Sequence, residues 1–193
     1  MNKVEVRTNK EHKMLLLDGV VQGVSDHTGY PVSPYMLPIM RHIKLLFASS
    51  KCLFLGGGAM LLPSFAKSQS MDVVVLENNQ EIIEAARGSF GFNMNEVYFV
   101  DASKLDYAIV DKHDFILLDC YPKTEYLYSK EYAEVCKTKL RDKGTFCVNY
   151  CEEDTDKATK YAKDLANVFG NVKAVTFYTS KDEKPKQFVF FCD

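Results

Sequence analysis

Three acidic residues stand at the ends of three short apolar runs. Glu77 follows Val73-Val74-Val75-Leu76, Asp101 follows Val97-Tyr98-Phe99-Val100, and Asp119 follows Phe115-Ile116-Leu117-Leu118. A fourth run, Cys52-Leu53-Phe54-Leu55, ends in Gly56-Gly57-Gly58. An ionised carboxylate accepts hydrogen bonds from neighbouring hydroxyls and so fixes a sugar. It also takes a proton from a nucleophile held beside it. Consecutive glycines let a ligand approach the backbone and bring a helix N-terminus to it. Glu77 follows Gly56 by 21 residues, the spacing at which an acid meets ribose hydroxyls in nucleotide-binding βαβ units. The turn itself is only Gly-x-Gly, with Leu61 where a dinucleotide fingerprint has its third glycine. A tight turn without a ligand therefore stays open for the glycines. Helix capping or solvation stays open for Asp101 and Asp119 taken singly.

These residues need a scaffold that aims them at one place. From residue 51 onward apolar strands alternate with helical stretches of about ten residues, the pattern of a parallel sheet covered on both faces. Helices are expected over 59–68, over 79–87 with Gly88 as the stop, and after the cap Ser129, where Tyr132, Val135, Cys136 and Leu140 share a face. A strand at 146–148 precedes a helix over 155–169 that ends at Gly170, and strands at 172–177 and 188–191 close the chain as a hairpin. The fold class is α/β, Rossmann-like, with a mostly parallel sheet and helices on both faces. In such a sheet ligands bind outside the carboxyl ends of the strands, so the three acids and the glycine turn share one crevice.

Ahead of that pattern, residues 3–24 read as a β-meander whose Asp18-Gly19 pair marks a tight turn. Residues 23–32 form a loop. Ser33-Pro34 then reads as a helix start, with Met36, Met40, Ile43 and Phe47 at helical spacing and a kink expected at Pro38. The expected division is an N-terminal β segment at 1–32 and a nucleoside-binding domain at 33–193.

The chain has 193 residues, 47% hydrophobic and 26% charged, with a net charge of -2. This is the profile of a globular domain with no broad attraction for nucleic acid. No apolar run approaches the roughly 18 residues of a membrane span, and the N-terminus is polar, so a cytoplasmic protein with neither nucleic-acid nor membrane partner is expected. The six cysteines and four histidines show no metal-ligand spacing. Cys52, Cys147 and Cys192 lie in apolar runs and read as buried thiols.

Leu17-Asp18-Gly19-Val20-Val21-Gln22, Leu53-Phe54-Leu55-Gly56-Gly57-Gly58, Val75-Leu76-Glu77, Val100-Asp101-Ala102 and Leu117-Leu118-Asp119 follow one another over residues 14–151. Together they resemble the spermidine synthase family of the S-adenosylmethionine-dependent methyltransferase superfamily. The Leu17–Gln22 stretch is the most specific part, since methyltransferases at large lack it. The resemblance implies a Rossmann-like methyltransferase fold behind a small N-terminal β segment, a homodimer, and a place in polyamine biosynthesis. It implies a donor substrate, S-adenosylmethionine or its decarboxylated form, and no metal. The donor would be held by Gln22, Gly56, Gly57, Gly58, Glu77, Asp101 and Ala102, with Glu77 on the ribose, Asp101 on the adenine amino group and Gln22 on the tail. Asp119 matches the acid that deprotonates the attacking amine, and Tyr35 and Tyr121 would wall the acceptor pocket.

The departures are specific. Ala59, followed by Met60, stands where the family usually carries an acid for the ammonium of an aminopropyl donor. Asp119-Cys120-Tyr121-Pro122-Lys123 replaces a run with a second aspartate. Losing two acids and gaining Lys123 weakens the attraction for a polycation, and the chain is shorter at both ends than a full synthase. Three functions follow from these residues. One is transfer of a methyl or aminopropyl group to an amine-type acceptor. Another is a non-catalytic nucleoside-binding or interaction protein. The third is a nicotinamide dehydrogenase, opposed by the missing third glycine and the lack of a second catalytic domain.

Overall fold

The computed structural model describes residues 3–93, 95, 97–109, 111–121, 124–178 and 187–193. Strands β1 (Val4–Thr8), β2 (Lys13–Leu17) and β3 (Val20–Ser25) form an antiparallel sheet. Asp18 and Gly19 join β2 to β3 with φ of 50° and 81°, the left-handed pair of a two-residue hairpin turn. The pairing then slips: Leu15 faces Gly23 while Leu16 faces Val21. Gln22 is thus the extra residue of a β-bulge, a device that bends a strand and re-aims a side chain.

The rest of the chain runs α1 (Met36–Ile43), β4 (Lys51–Leu55), α2 (Leu61–Ser68), β5 (Asp72–Glu77), α3 (Gln80–Phe90) and β6 (Val97–Phe99). A 3-10 turn (Ala102–Lys104) leads into α4 (Leu105–Ala108), then β7 (His113–Leu118), α5 (Lys130–Thr138), β8 (Leu140–Cys151), α6 (Thr155–Phe169), β9 (Val172–Phe177) and β10 (Gln187–Cys192). Among the described residues seven of these strands form a second sheet in the order β6-β5-β4-β7-β8-β10-β9. The first five are parallel, and β10 runs antiparallel between β8 and β9.

Alternation along each strand divides the core. In β4, Cys52 and Phe54 pack with Ile39, Phe65 and Ile82 of α1, α2 and α3, together with Leu15 and Leu17 of the small sheet. Leu53 and Leu55 point the other way, toward Leu105, Cys136 and Leu165 of α4, α5 and α6. Two-sided burial is why these strands are apolar throughout rather than alternating. Strand order reverses between β4 and β7, which leaves a crevice beyond their carboxyl ends. No helix among the described residues is long and apolar enough to cross a membrane.

Several local expectations shift. The carbonyls of Ser33 and Pro34 accept from the amides of Met36 and Leu37, so a turn precedes α1 and the helix starts at Met36. Pro38 falls in the first helical turn, where backbone amides lack an intrahelical partner, so its missing N–H breaks no bond. Phe47 lies beyond the helix and is 87% exposed. Gly88 is inside α3, which ends instead at Gly91, with φ 68°. Leu140 belongs to β8 rather than to α5, and the strand expected at 146–148 extends in both directions. The 3-10 turn and α4 had no periodic signal because they are too short to show one. The helix over 155–169 and the closing hairpin are where the pattern put them.

Gly56 has φ 88°, and a Cβ there would run into the Asp119 carbonyl. Gly91 has φ 68° with open space around it. Gly91→Ala should cost about 1 kcal/mol, the strain of the left-handed backbone alone. Gly56→Ala should cost roughly 2 kcal/mol or more, because the clash adds to strain. Urea denaturation compares the two, and equal losses would show that the Gly56 approach is not tight.

Candidate functional site

The sheet register sets one row of residues side by side. Leu55 pairs with Leu76 and Leu118, and Leu118 pairs with Val148. The next residues, Gly56, Glu77, Asp119 and Asn149, therefore lie at one level across β4, β5, β7 and β8. Two bonds continue the ladder: the Gly56 amide donates to the Leu76 carbonyl at 2.9 Å, and the Asp119 amide to that of Leu55 at 2.8 Å.

The glycine turn is held from three sides. Gly56 lies against the Asp119 backbone, and a Cβ on Gly58 would come within 2.7 Å of the Gln22 carbonyl. Met60 takes a left-handed conformation, φ 56°, which is costly for a residue with a Cβ. It is fully buried, its amide donates to the Gly57 carbonyl at 2.8 Å, and its thioether fills the space beside Gly57. The Gly57 amide donates to Glu77 Oε2 at 2.9 Å.

Two clefts meet at this turn. The first, of ≈ 280 Å³, has Leu76, Ile82 and Leu127 on its walls beside Glu77, Asn78 and Asp101. Glu77 is only 7% exposed, and its Oε1 accepts from the Asn79 amide at 2.9 Å. Each carboxylate oxygen has two lone pairs, so acceptor capacity remains after the Gly57 and Asn79 bonds. Asp101 is exposed. Its Oδ1 accepts from the Ser103 amide at 2.8 Å and its Oδ2 from Asn78 Nδ2 at 2.8 Å. Hydrogen bonds from the side chain and amide of Ser103, and from Asn78, hold its carboxyl below the usual range. Asp101 therefore caps the 3-10 turn while lining the cleft. Ala102 lies beside it, and its carbonyl accepts from the Tyr132 hydroxyl at 2.6 Å.

The second cleft, of ≈ 180 Å³, is lined by Tyr35, Tyr121, Tyr128, Asn149, Cys151 and Gln187 among others. Gln22, Gly58, Asp119, Cys120 and Tyr121 line both clefts. Asp119 is half-buried, and its carboxylate is spanned: Oδ1 accepts from Asn149 Nδ2 at 2.7 Å, and Oδ2 from the Tyr35 hydroxyl at 3.3 Å. Asn149 is oriented in turn by Gln187 Nε2, which donates to its Oδ1 at 2.7 Å. Burial pushes the Asp119 carboxyl above its usual value, and the bonds from Asn149 and Tyr35 partly offset this. Burial and the neighbouring Asp119 charge raise the Tyr35 phenol well above its usual value, so Tyr35 keeps its proton and donates. The Tyr128 hydroxyl donates to the Cys120 carbonyl at 3.1 Å and steadies the loop after Asp119.

The ten site residues named from sequence, Gln22, Tyr35, Gly56, Gly57, Gly58, Glu77, Asp101, Ala102, Asp119 and Tyr121, thus lie around one crevice. Gln22 reaches it through the bulge, its Nε2 donating to the Val20 carbonyl at 3.2 Å. Ala59 is 2% exposed and faces Gly23, where a Cβ would come within 2.7 Å of its methyl. Pro122 and Lys123 lie outside the described residues. Asn149, Gln187, Met60 and Tyr128 were not anticipated. Asn149 had a readable signal: it ends the apolar run Phe146-Cys147-Val148 just as Asp119 ends its own. Gln187 and Tyr128 come from distant chain segments and had none. All six cysteines are unbridged. Among the described residues no cluster of three His, Cys, Asp or Glu offers a metal site.

Comparison with known proteins gives a fold. No family model and no curated protein sequence matches the chain. Solved structures do. A spermidine synthase in complex with the transition-state analogue AdoDATO superposes with a TM-score of 0.72 at 18% identity, over 100% of this chain and 69% of its own. Human methyltransferase-like protein 13 in complex with SAH gives 0.71 at 17%, over 83% and 82%. Spermidine synthase from Thermotoga maritima gives 0.70 at 18%, over 98% and 72%. The chain has the Rossmann-like methyltransferase fold that these proteins share.

On acidification Asp119 should lose its charge at a higher pH than a solvated aspartate, whose value is about 3.9. Asn149→Leu removes a donor to the ionised form, so this titration should move still higher. Carboxyl carbon NMR reads both. No upward movement in the variant would show that Asn149 does not stabilise the charge.

Proposed function

We propose that the chain is a transferase of the spermidine-synthase type. It binds S-adenosylmethionine or a related nucleoside in the first cleft and moves a methyl or aminopropyl group to an amine-type acceptor in the second. The observation that carries this reading is the position of Asp119. One carboxylate lies on the walls of both clefts, held by Asn149 and Tyr35, and no backbone amide among the described residues donates to it. That the similar solved structures hold AdoDATO and SAH supports the choice of nucleoside.

Each residue then has a task. Glu77 offers its remaining lone pairs to the ribose hydroxyls. Leu76, Ile82 and Leu127 give the adenine an apolar slot, with Asp101 at its rim. Gln22 faces the tail of the donor. With Ala59 packed under Gly23, no carboxylate at that position draws a donor ammonium or repels a donor carboxylate, which favours S-adenosylmethionine over its decarboxylated form. A bound sulfonium nucleoside supplies the electrophilic carbon and retains the electron pair of the breaking C–S bond on sulfur. The amine nitrogen forms the new C–N bond and yields its proton to Asp119. Asn149 and Tyr35 favour the ionised form of that carboxylate and aim it. Most of the rate comes from holding the reactants together.

The second cleft favours an enzyme over a protein that only binds a nucleoside, since its space beside Asp119 is open rather than filled by side chains. Leu61 disfavours a dinucleotide, because it is buried against Gly23 where the fingerprint requires glycine.

Calorimetry should find binding of S-adenosylmethionine or methylthioadenosine and none of NAD. Glu77→Ala should weaken nucleoside binding by about 1.5–3 kcal/mol, the scale of bonds to a charged group, with urea denaturation reporting any loosening of the Gly57 turn. Unchanged affinity in the variant would remove Glu77 from the ribose. Once an acceptor is known, Asp119→Asn should lower turnover by roughly 100- to 10,000-fold while nucleoside affinity changes little. Retained turnover would show that another group is the base.

A further inference from the structure

The wall of the second cleft specifies its occupant further than "amine". Among its described residues Asp119 is the one acidic side chain. Most of the other polar groups are already engaged. Both ends of the Asn149 amide are bonded, to Asp119 and to Gln187. The Tyr128 hydroxyl is on the Cys120 carbonyl, and the Tyr35 hydroxyl is on Asp119. Beside the neutral side-chain amides of Gln22 and Gln187, whose Nε2 atoms are bonded to the Val20 carbonyl and to Asn149, the rest of the wall is mostly apolar or aromatic: the side chains of Val20 and Val21 and the half-exposed ring of Tyr121.

Charge counting follows from this. A primary amine arrives as an ammonium ion, and one ammonium matches one carboxylate. A second cationic centre in the same cleft would lie against carbon, sulfur and neutral amides, with no further acidic partner among the described residues that line it. Taking an unpaired charge even partly out of water costs free energy. The attraction of an ammonium for a partly exposed tyrosine ring is weak by comparison. An apolar or aromatic body loses nothing by leaving water and gains contact with Val20, Val21 and Tyr121.

We infer that the acceptor carries a single amine, the reacting one, on a short apolar or aromatic body, and that di- and polyamines are poor acceptors. This rests on the transferase reading, because it assigns the second cleft to the acceptor. The transfer step is unchanged: nitrogen gains the carbon, sulfur keeps the electron pair, and Asp119 takes the proton.

The test is calorimetry on the full chain with 2-phenylethylamine, hexylamine, 1,4-diaminobutane and spermidine, each with and without saturating methylthioadenosine. The two monoamines should bind at least tenfold more tightly than the diamine and the triamine, and Asp119→Asn should weaken monoamine binding at least tenfold. Binding of 1,4-diaminobutane as tight as that of the monoamines overturns the inference, and so does failure of every amine to bind. The nucleoside titration is read separately. If neither methylthioadenosine nor S-adenosylmethionine binds, the transferase reading fails, while the order of amine affinities on the nucleoside-free protein still reports on the cleft.

Discussion

The site depends on a backbone contact. Gly56 lies so close to the Asp119 carbonyl that no side chain fits between them. That closeness follows from strand order. β4 and β7 are hydrogen-bonded neighbours although β5 and β6 intervene in the sequence, and the connections after β4 and β7 leave on opposite faces. A turn and an acid that are far apart along the chain thereby become adjacent. Gly58 repeats the arrangement against Gln22 on the N-terminal hairpin. The glycines are consequently spacers that let three chain segments converge.

Three acids that look alike in sequence have different physical situations. Glu77 is buried and ties the glycine turn to β5 through the Gly57 amide. Asp101 is exposed and held ionised by its local bonds. Asp119 is pushed toward the neutral form by burial and drawn back by two neutral donors. The chemical group is the same in all three, and the packing around each sets the difference.

The small N-terminal sheet completes the crevice. Without the bulge in β3, Gln22 would pair regularly with β2, and the strand would not turn this residue toward both clefts. The same hairpin presses Gly23 onto Ala59 and Leu61, so positions that in related patterns carry an acid or a glycine are here taken up by packing. The hairpin and the start of α2 are thus packed together at Ala59 and Leu61.

Local pattern determined a good deal. The wholly apolar strands, the helix over 155–169 with its Gly170 stop, and the Asp18-Gly19 hairpin are short-range features governed by periodicity and turn chemistry, and they are legible in the residues themselves. So was the gathering of Glu77, Asp101 and Asp119, because a parallel sheet presents all its strand ends on one side. Tertiary structure decided the rest. The Gln187–Asn149–Asp119–Tyr35 chain of hydrogen bonds joins residues from four separate segments. The bulge at Gln22 depends on a register slip, the burial of Ala59 on a neighbouring hairpin, and the raised titration of Asp119 on everything packed around it. These are long-range consequences of which segments meet, and no local pattern of residue types contains that information.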